Sequence, residues 1–361
     1  LVGAPKHDAG GTDAGAVFLV SGTGVSTGNL ADVALSVFVG EGSYNDAGIA
    51  VAGIQDQDGD GLNEVAIGAS GYLNSSDAFG NGAVYIFSGS DLEEELDLAD
   101  ASVKIVGESF YDIAGSAIDS GDVDGDGIAD LAMSSLNSHE AGVSSSIGAG
   151  RADVFFGELD SDVLTTDESD VTILGESGGD RLGNAISVAG DLDFDGYNDL
   201  VTCAELEDTY GERTGSCYLF LSSAISFSGV LQAGEDESIK LVGYESGAHL
   251  GSAVTIGNIN GDSYDDLVVG ENGEGLSSHS SHIGGAYVLY GPLEEMGTAD
   301  MTDVADVFLQ GENRTDYAGT GITTGDYNAD NKSDLSIGAP GYDDFGRSNT
   351  GRDYTFYGLG E

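Results

Sequence analysis

The stretch Asp122-Val-Asp-Gly-Asp-Gly-Ile-Ala-Asp-Leu, at residues 122–131, decides the fold of this 361-residue chain, because it returns in recognisable form four more times. The other copies begin at Asp56, Asp191, Asn258 and Asp326, so that successive copies start 66, 69, 67 and 68 residues apart. Repetition at a fixed period of this length is typical of a chain built from similar structural units, each of which needs its neighbours to bury its apolar face.

Each copy lies among short segments that carry the pattern of β-strands. A run of small residues precedes it, and an apolar strand such as Glu64-Val-Ala-Ile-Gly-Ala follows it. After a polar loop comes an aromatic strand such as Ala83-Val-Tyr-Ile-Phe, and a last strand such as Val103-Lys-Ile-Val ends the unit. These segments are rich in β-branched and aromatic residues and show no sustained helical period. Four strands in a unit of roughly 67 residues predict an all-β fold, a β-propeller of four-stranded antiparallel blades.

Six blades are visible in the sequence, and four of them are complete. Leu1-Val-Gly-Ala-Pro matches Ser336-Ile-Gly-Ala-Pro in the middle of a repeat, so the first blade lacks its inner strand and metal loop. The sixth blade stops after its aromatic strand, Asp353-Tyr-Thr-Phe-Tyr. We therefore expect a single propeller domain over residues 1–361 that is part of a longer chain and whose full ring has six or seven blades.

Oxygen-bearing side chains occupy positions 1, 3, 5 and 9 of a nine-residue loop in every copy. Alternate residues of a tight loop point inward, as is needed to surround a cation with several hard oxygens at about 2.3–2.6 Å. Such oxygens favour Ca²⁺ over metals that prefer softer ligands, and Mg²⁺ requires a more compact octahedral shell. We predict about five Ca²⁺ sites, with the backbone carbonyl at position 7 as a further ligand. The predicted ligands are Asp56, Asp58, Asp60, Leu62 and Glu64; Asp122, Asp124, Asp126, Ile128 and Asp130; Asp191, Asp193, Asp195, Tyr197 and Asp199; Asn258, Asn260, Asp262, Tyr264 and Asp266; and Asp326, Asn328, Asp330, Lys332 and Asp334.

The alternative interpretation of each loop is an Asp/Asn/Gly turn whose side chains satisfy only its own backbone. The regular return of five loops in register favours the metal sites. The loops are also distinct from EF-hands, because strands flank them and no glutamate follows at position 12.

The net charge is −54, from 64 acidic and 10 basic residues. A chain of this charge is not expected to bind nucleic acid, since the phosphates would repel it, and anionic membrane surfaces are disfavoured for the same reason. No apolar run approaches the length of a transmembrane helix, so direct membrane insertion is not expected.

Cys203 and Cys217, the two cysteines of the chain, lie on the second and third strands of one repeat. Neighbouring antiparallel strands bring Cα atoms to about 4.5–5.5 Å, which is within disulfide range. We therefore predict a disulfide and an oxidising compartment, against the alternative of two buried free thiols.

The repeat resembles the FG-GAP repeats of integrin alpha propellers and their bacterial relatives. The resemblance rests on the Leu182-Gly and Leu250-Gly starts, the Asp-x-Asp-x-Asp-Gly loop, and the Asp-Leu and Gly-Ala-Pro segments after it, and it covers essentially the whole chain. It implies calcium in the loops, seven blades, a secreted or cell-surface location, and roles in adhesion on the face opposite the calcium loops. Asn258, in place of the usual first aspartate, departs from the pattern.

Two functions are compatible with these features. The favoured one is a non-catalytic calcium-binding module that binds a protein or glycan ligand at the cell surface, or helps to assemble a surface structure. The alternative is the propeller domain of a secreted carbohydrate-active or phosphoester-cleaving enzyme. Gly175-Glu-Ser-Gly-Gly matches a nucleophile elbow, but it aligns with repeat connectors and not with a strand-to-helix turn.

The loops between the second and third strands vary most in length and content, and we predict that they form the ligand surface. These loops are 71–82, 136–150, 205–215, 272–285 and 341–351.

Overall fold

The computed structural model of the chain describes residues 1–22, 28–73, 80–138, 148–159, 161–273, 283–313, 315–343 and 349–358. The described part is all-β, with two four-residue helices, α1 (Leu30–Val33) and α2 (Met301–Val304). Its strands form six small sheets, one for each visible repeat, which confirms the predicted class of a β-propeller with six blades. Within the described residues, neither helix has the length and apolar content needed to cross a membrane.

The chain divides into two compact units, residues 1–122 with 126–172, and residues 123–125 with 173–361. The expectation of a single domain over residues 1–361 remains a prediction. The strands of the first unit are β1 (Val2–Ala4), β2 (Ala16–Val20), β3 (Ala34–Val39), β4 (Ala47–Ile54), β5 (Glu64–Ala69), β6 (Ala83–Phe87), β7 (Glu95–Asp97), β8 (Val103–Val106), β9 (Ala114–Gly121), β10 (Asp130–Ser135), β11 (Arg151–Phe155) and β12 (Val163–Thr165). The chain passes into the second unit along β13 (Val171–Leu174).

The strands of the second unit continue the repeat. They are β14 (Ala185–Ser187), β15 (Leu200–Ala204), β16 (Ser216–Phe220), β17 (Gly229–Gln232), β18 (Ile239–Val242), β19 (Leu250–Gly257), β20 (Asp266–Glu271), β21 (Gly285–Leu289), β22 (Gly297–Asp300), β23 (Val307–Gln310), β24 (Gly321–Gly325), β25 (Asp334–Ala339) and β26 (Arg352–Phe356). Sheet orders are β14-β15-β16-β18-β22, β19-β20-β21-β23 and β24-β25-β26. As predicted, the sixth repeat contributes three strands.

Each complete repeat places four antiparallel strands in its own sheet, as predicted, and some sheets also receive a further strand from the next repeat. β7 of the second repeat pairs in parallel with β3 of the first sheet, and β12 pairs in parallel with β8. In the second unit β22 pairs in parallel with β18. These added strands have three or four residues and come from the polar linker before the last strand of their own repeat. Short polar segments of this kind carry too little apolar pattern to be recognised as strands from sequence.

The core lies between neighbouring sheets. β5 and β6 are buried along their entire length, because sheets pack on both of their faces, and this explains why they read as nearly continuous apolar runs. Phe38 of the first sheet packs on Phe87 of the second, with ring centroids 5.0 Å apart. The antiparallel order of β4, β5 and β6 places the loop between the first and second strands at one end of the sheet and the loop between the second and third strands at the other.

The disulfide between Cys203 and Cys217 is formed, as predicted. The two residues are directly opposite each other in the pairing of β15 with β16, the position that Gly68 and Val84 take in the second sheet. The Cα atoms are 4.0 Å apart, somewhat closer than the expected spacing. Gly251 of the next repeat has a φ of +88° and lies so close that a Cβ atom there would be 2.5 Å from Cys203 Cβ. A glycine at the start of β19 is therefore required by both backbone conformation and space.

We expect the Cys203→Ala, Cys217→Val variant to lose up to about 3 kcal/mol of unfolding free energy, because the disulfide closes a short loop of the unfolded chain. Denaturant unfolding with and without reductant is the measurement. Reductant should lower the midpoint of the natural protein and leave that of the variant unchanged. Equal stability of the oxidised protein and the variant would contradict the prediction.

Candidate metal centres

All five predicted metal loops connect the first and second strands of their repeats. Position 9 of each loop is buried and is the first residue of the second strand or, for Asp199, the residue directly before it, whereas positions 1, 3 and 5 lie in the loop itself. The buried position-9 carboxylates are Glu64, Asp130, Asp199, Asp266 and Asp334, with at most 4% of the residue exposed. Each loop thus holds one buried carboxylate beneath a set of more accessible oxygens.

Backbone N–H groups fix the loop carboxylates. In the second repeat, Gly61 donates to Asp56 Oδ2 at 2.9 Å and Leu62 donates to Asp60 Oδ1 at 2.7 Å. The N–H of Gln57 donates to Glu64 Oε2 at 2.8 Å. The N–H of position 7 donates to the position-5 carboxylate in every loop, from Leu62, Ile128, Tyr197, Tyr264 and Lys332. This is the bonding expected of Asx turns, so the turn alternative describes part of the loop correctly.

The loop of the second repeat has oxygens that the turn alternative leaves without a role. Asp56 Oδ1 and Glu64 Oε1 are buried and have no hydrogen-bond partner among the described residues. A buried carboxylate oxygen without a partner is costly, because it has lost water and gained nothing in exchange. A cation beside these two oxygens would remove that cost, so the residues of this loop fit a metal ion.

Glu64 differs from its counterparts through its longer side chain. In the other four loops the position-9 aspartate accepts a second hydrogen bond, at 2.8–3.1 Å, from a backbone N–H just beyond the third strand. The donors are Gly157, Ser222, Gly291 and Gly358.

Three of the five loops gather carboxylate oxygens within 4.8 Å of one another. The groups are Asp56, Asp58, Asp60 and Glu64; Asp122, Asp124 and Asp130; and Asp191, Asp193 and Asp199. Asp126 and Asp195, which we also predicted as ligands, are not in these groups. The structure therefore places acidic clusters that could hold metal ions at three of the predicted sites.

The fifth and sixth loops are not among these groups; asparagines replace two carboxylates in the fifth loop and one in the sixth. Asn260 Nδ2 donates to Asp262 Oδ2 at 3.0 Å, and Asn328 Nδ2 donates to Asp330 Oδ2 at 3.0 Å. Asn258 Oδ1 accepts from the N–H of Gly261. In these loops an amide group makes contacts with carboxylates that a cation would otherwise make.

Burial raises the pKa of the buried position-9 carboxylates Glu64 and Asp199. It raises the pKa of Glu64, with the charges of Asp58 and Asp56 adding to the effect, and it raises the pKa of Asp199 to about 7. The charged form of these groups is thus disfavoured by the protein alone, and a bound cation would favour it.

Serine hydroxyls after the third strand also contact the loops, which the sequence analysis missed. Ser88 Oγ donates to Asp58 Oδ2 at 3.0 Å, and Ser222 Oγ donates to Asp195. Ser223 makes a short hydrogen bond to Asp193. Ser88 directly follows its aromatic strand, and Ser222 and Ser223 lie two and three residues beyond theirs. Serines at these positions are the sequence signal from which the contacts could have been predicted.

The predicted ligand loops lie at the other end of each sheet. Of the five, only 205–215 falls wholly within the described residues; parts of 71–82, 136–150, 272–285 and 341–351 lie outside them. In the described loop, Glu207 is buried and accepts from Ser216 Oγ at 2.7 Å, while Asp208 accepts from the N–H of Arg213 at 2.6 Å.

Comparison with known proteins agrees with this architecture. The chain matches the FG-GAP repeat family over residues 114–146, 250–289 and 318–354. These segments contain metal loops of the third, fifth and sixth repeats. The chain therefore carries FG-GAP repeats in these segments, as the sequence predicted.

Its relatives include two kinds of protein. Phosphatidylinositol-glycan-specific phospholipase D of Bos taurus is 33% identical over 115 residues, which are 30% of this chain and 13% of that protein. The protein of that name from Dictyostelium discoideum is 26% identical over 51% of this chain and 20% of its own length. Integrin alpha-3 of Cricetulus griseus is 30% identical over 28% of this chain and 9% of its own length. The chain thus matches only a small part of each of these relatives.

Among solved structures, the V. cholerae biofilm matrix protein Bap1 is 13% identical, covers 68% of this chain and 37% of its own, and has a TM-score of 0.29. A superposition this loose has no bearing on function.

Proposed function

We propose that this chain is an extracellular, calcium-stabilised binding module that contacts a protein or glycan ligand at the cell surface and is not itself a catalyst. The observation that carries the calcium assignment is the pair of buried oxygens without partners, Asp56 Oδ1 and Glu64 Oε1, in a cluster of four carboxylates. When bound, calcium supplies a positive charge that holds the loop carboxylates together. The side chains at positions 1, 3, 5 and 9 and the carbonyls at position 7 would hold it.

The location outside the cell is supported by the disulfide, since such bonds persist in oxidising compartments. The resemblance to integrin alpha subunits supports a binding role. The resemblance to phospholipases D supports the second candidate, a propeller domain that accompanies a secreted enzyme, although the matched part is only 13% of the Bos taurus protein.

The binding surface is assigned to the sheet ends away from the metal loops. The test replaces the loop 205–215 by a short glycine linker and measures binding of the purified protein to cell surfaces and to arrayed glycans. A matched variant, Asp191→Asn with Asp193→Asn, alters the metal loop of the same sheet. Loss of binding only in the loop replacement, with both proteins folded, supports the assignment; the reverse pattern overturns it.

The loop of the fifth repeat is expected to hold calcium most weakly, because only Asp262 and Asp266 are charged and fewer ligand charges weaken calcium binding. The Asn258→Asp, Asn260→Asp variant should bind about one more ion per chain at a calcium concentration that leaves the natural loop empty. Equilibrium dialysis with elemental analysis measures this number.

A matched control variant removes the same two charges from the third repeat, as Asp122→Asn with Asp124→Asn. It should bind about one ion fewer under the same conditions. An unchanged ion count in both variants would show that ligand charge does not set the order of binding.

A further inference from the structure

An acidic group, a tyrosine and a basic side chain meet at the junction of the first and second sheets. Tyr85 Oη donates to Glu41 Oε2 at 2.7 Å, and Lys104 Nζ donates to the same oxygen at 2.7 Å. Lys104 is the cross-strand partner of Tyr85, and its ammonium lies 4.9 Å from the centre of that ring. The ammonium is held by a carboxylate and by aromatic faces together.

The fourth sheet repeats this arrangement. Lys240 is the cross-strand partner of Tyr218, and both donate to Glu176 Oε2, at 2.6 and 3.0 Å. In the sixth sheet, Arg352 and Tyr354 both donate to Glu312 Oε1, at 2.8 and 3.1 Å. A cation therefore completes the carboxylate and tyrosine pair in three sheets of the described chain.

The fifth sheet keeps the tyrosine and a carboxylate but has no basic residue at the equivalent position. Tyr287 occupies the position of Tyr85 and Tyr218, and it is hydrogen bonded to the buried Glu271. Its cross-strand partner is Phe308, whose ring stacks on that of Tyr287 with centroids 4.3 Å apart. Phenylalanine thus stands where the second and fourth sheets have lysine.

A cavity of about 180 Å³ opens at this place. Tyr244, Glu245, Glu271, Tyr287 and Phe308 line it, and its described lining residues include no lysine or arginine. Burial, and after it the charges of Glu271, Asp300 and Glu245, raise the pKa of the Tyr287 hydroxyl. The cavity therefore combines negative charge with three aromatic rings, which is the chemistry that recognises ammonium groups.

We propose that this cavity binds a primary alkylammonium group, such as a lysine side chain, in the place that Lys104 and Lys240 fill in their own sheets. A primary ammonium can donate hydrogen bonds to carboxylates, as both lysines do, whereas a quaternary ammonium cannot. The volume is sufficient for a short alkyl chain with its ammonium.

The cavity lies at the sheet end assigned to ligand binding. Glu271 is the last residue of β20 and Gly285 is the first residue of β21. Both therefore lie at the end of the sheet opposite the metal loop 258–266, which leads into β20 at Asp266. The inference deepens the proposed function, on which it rests for its biological use, by naming the chemical class recognised at this end.

The test titrates the calcium-loaded protein with Nα-acetyl-lysine methylamide, followed by calorimetry and ligand-observed NMR. We expect saturable binding, weakened about tenfold in Glu271→Gln because a hydrogen bond to a charged group is lost. The neutral isostere Nα-acetyl-norleucine methylamide should not bind, and tetramethylammonium should bind more weakly. Phe308→Lys should abolish binding by supplying an internal ammonium.

Glu245→Gln should also weaken binding. Because Glu245 is exposed, this variant is a second test that does not depend on whether Phe308→Lys folds. Glu41→Gln, at the first junction, is the matched control and should leave the affinity unchanged. Absence of saturation, equal binding of norleucine, tighter binding of tetramethylammonium, or unchanged affinity in both glutamine variants would overturn the proposal. Because amine binding is measured on the isolated protein, a negative result in the surface-binding assay leaves this inference intact, and the reverse also holds.

Discussion

Removal of calcium is expected to lower the melting temperature of this protein by on the order of 10 °C. Extracellular calcium sites bind at about 10⁻⁴–10⁻³ M, so that at about millimolar calcium each site contributes about 0.4–1.4 kcal/mol to the free energy of unfolding. Several such contributions are large beside a typical total stability of about 5–15 kcal/mol. Removal also leaves clustered carboxylates, such as those of Asp56, Asp58 and Asp60, to repel one another.

The measurement is a thermal melt before and after chelation, with elemental analysis to verify that the metal is gone. Readdition of calcium should restore the melting temperature, whereas an equal ionic strength of sodium chloride should restore less, since screening alone does not fill the sites. Glu64→Gln should reduce the calcium effect, and Glu95→Gln on β7, outside the loops, should not. A melting temperature that is unchanged after verified removal of metal would refute the calcium assignment.

Loss of the buried Lys240 ammonium is expected to destabilise the protein by about 3–5 kcal/mol, because it leaves the buried carboxylate of Glu207 without its cation. Lys240 is 5% exposed and its Nζ lies 2.6 Å from Glu176 Oε2 and 3.4 Å from Glu207 Oε1. Burial alone would lower the pKa of Lys240, but the hydrogen bond to Glu176 and the charge of Glu207 raise it. Denaturant unfolding of Lys240→Met measures the effect.

Lys104→Met is the matched control. Lys104 is more exposed than Lys240 and pairs with the partly exposed Glu41, whereas Lys240 also contacts the buried Glu207, so Lys104→Met should cost about 1 kcal/mol. Adding Glu207→Gln to Lys240→Met should recover part of the loss, because one stranded charge is removed. Equal effects of the two lysine changes would mean that burial of the ion pair does not determine its contribution.

The pH dependence of Lys240→Met provides a separate check. Burial raises the pKa of Glu207, but hydrogen bonds from Thr209 and Ser216, together with the charge of Lys240, lower it overall. Loss of the ammonium should therefore raise this pKa and reduce the stability that the charged carboxylate contributes at neutral pH, a contribution that both proteins lose as the pH falls through the folded pKa of Glu207. The difference from the natural protein should therefore be smaller at acid pH, below the pKa of Glu207, than at about pH 7.

The repeat period and the alternating apolar strands were sufficient to predict the fold class, since six copies of one pattern define six sheets. The disulfide was predictable because Cys203 and Cys217 occupy aligned positions on neighbouring strands. The added parallel strands were not, because β7, β12 and β22 owe their pairing to the strand beside them and not to their own sequence.

The metal loops were likewise only partly predictable from the sequence. Their five positions follow from the spacing, but the distinction between Glu64 and the position-9 aspartates depends on one methylene group and on where backbone N–H groups lie. The cavity beside Tyr287 was also beyond the sequence analysis, since it arises from the pairing of Tyr287 with Phe308 across two strands.

The added parallel strands have a mechanical consequence. β7 pairs in parallel with the edge strand of the first sheet, and β22 pairs in the same way with the edge strand of the fourth. Tension on the chain must therefore detach such a strand before the sheet to which it is paired can unfold. A repeat that is pulled from its C-terminal side should therefore unfold together with the edge strand of the preceding repeat, to which its added strand is paired. A protein built in this way should unfold under tension in steps of more than one repeat, and force spectroscopy should record unfolding lengths larger than one repeat.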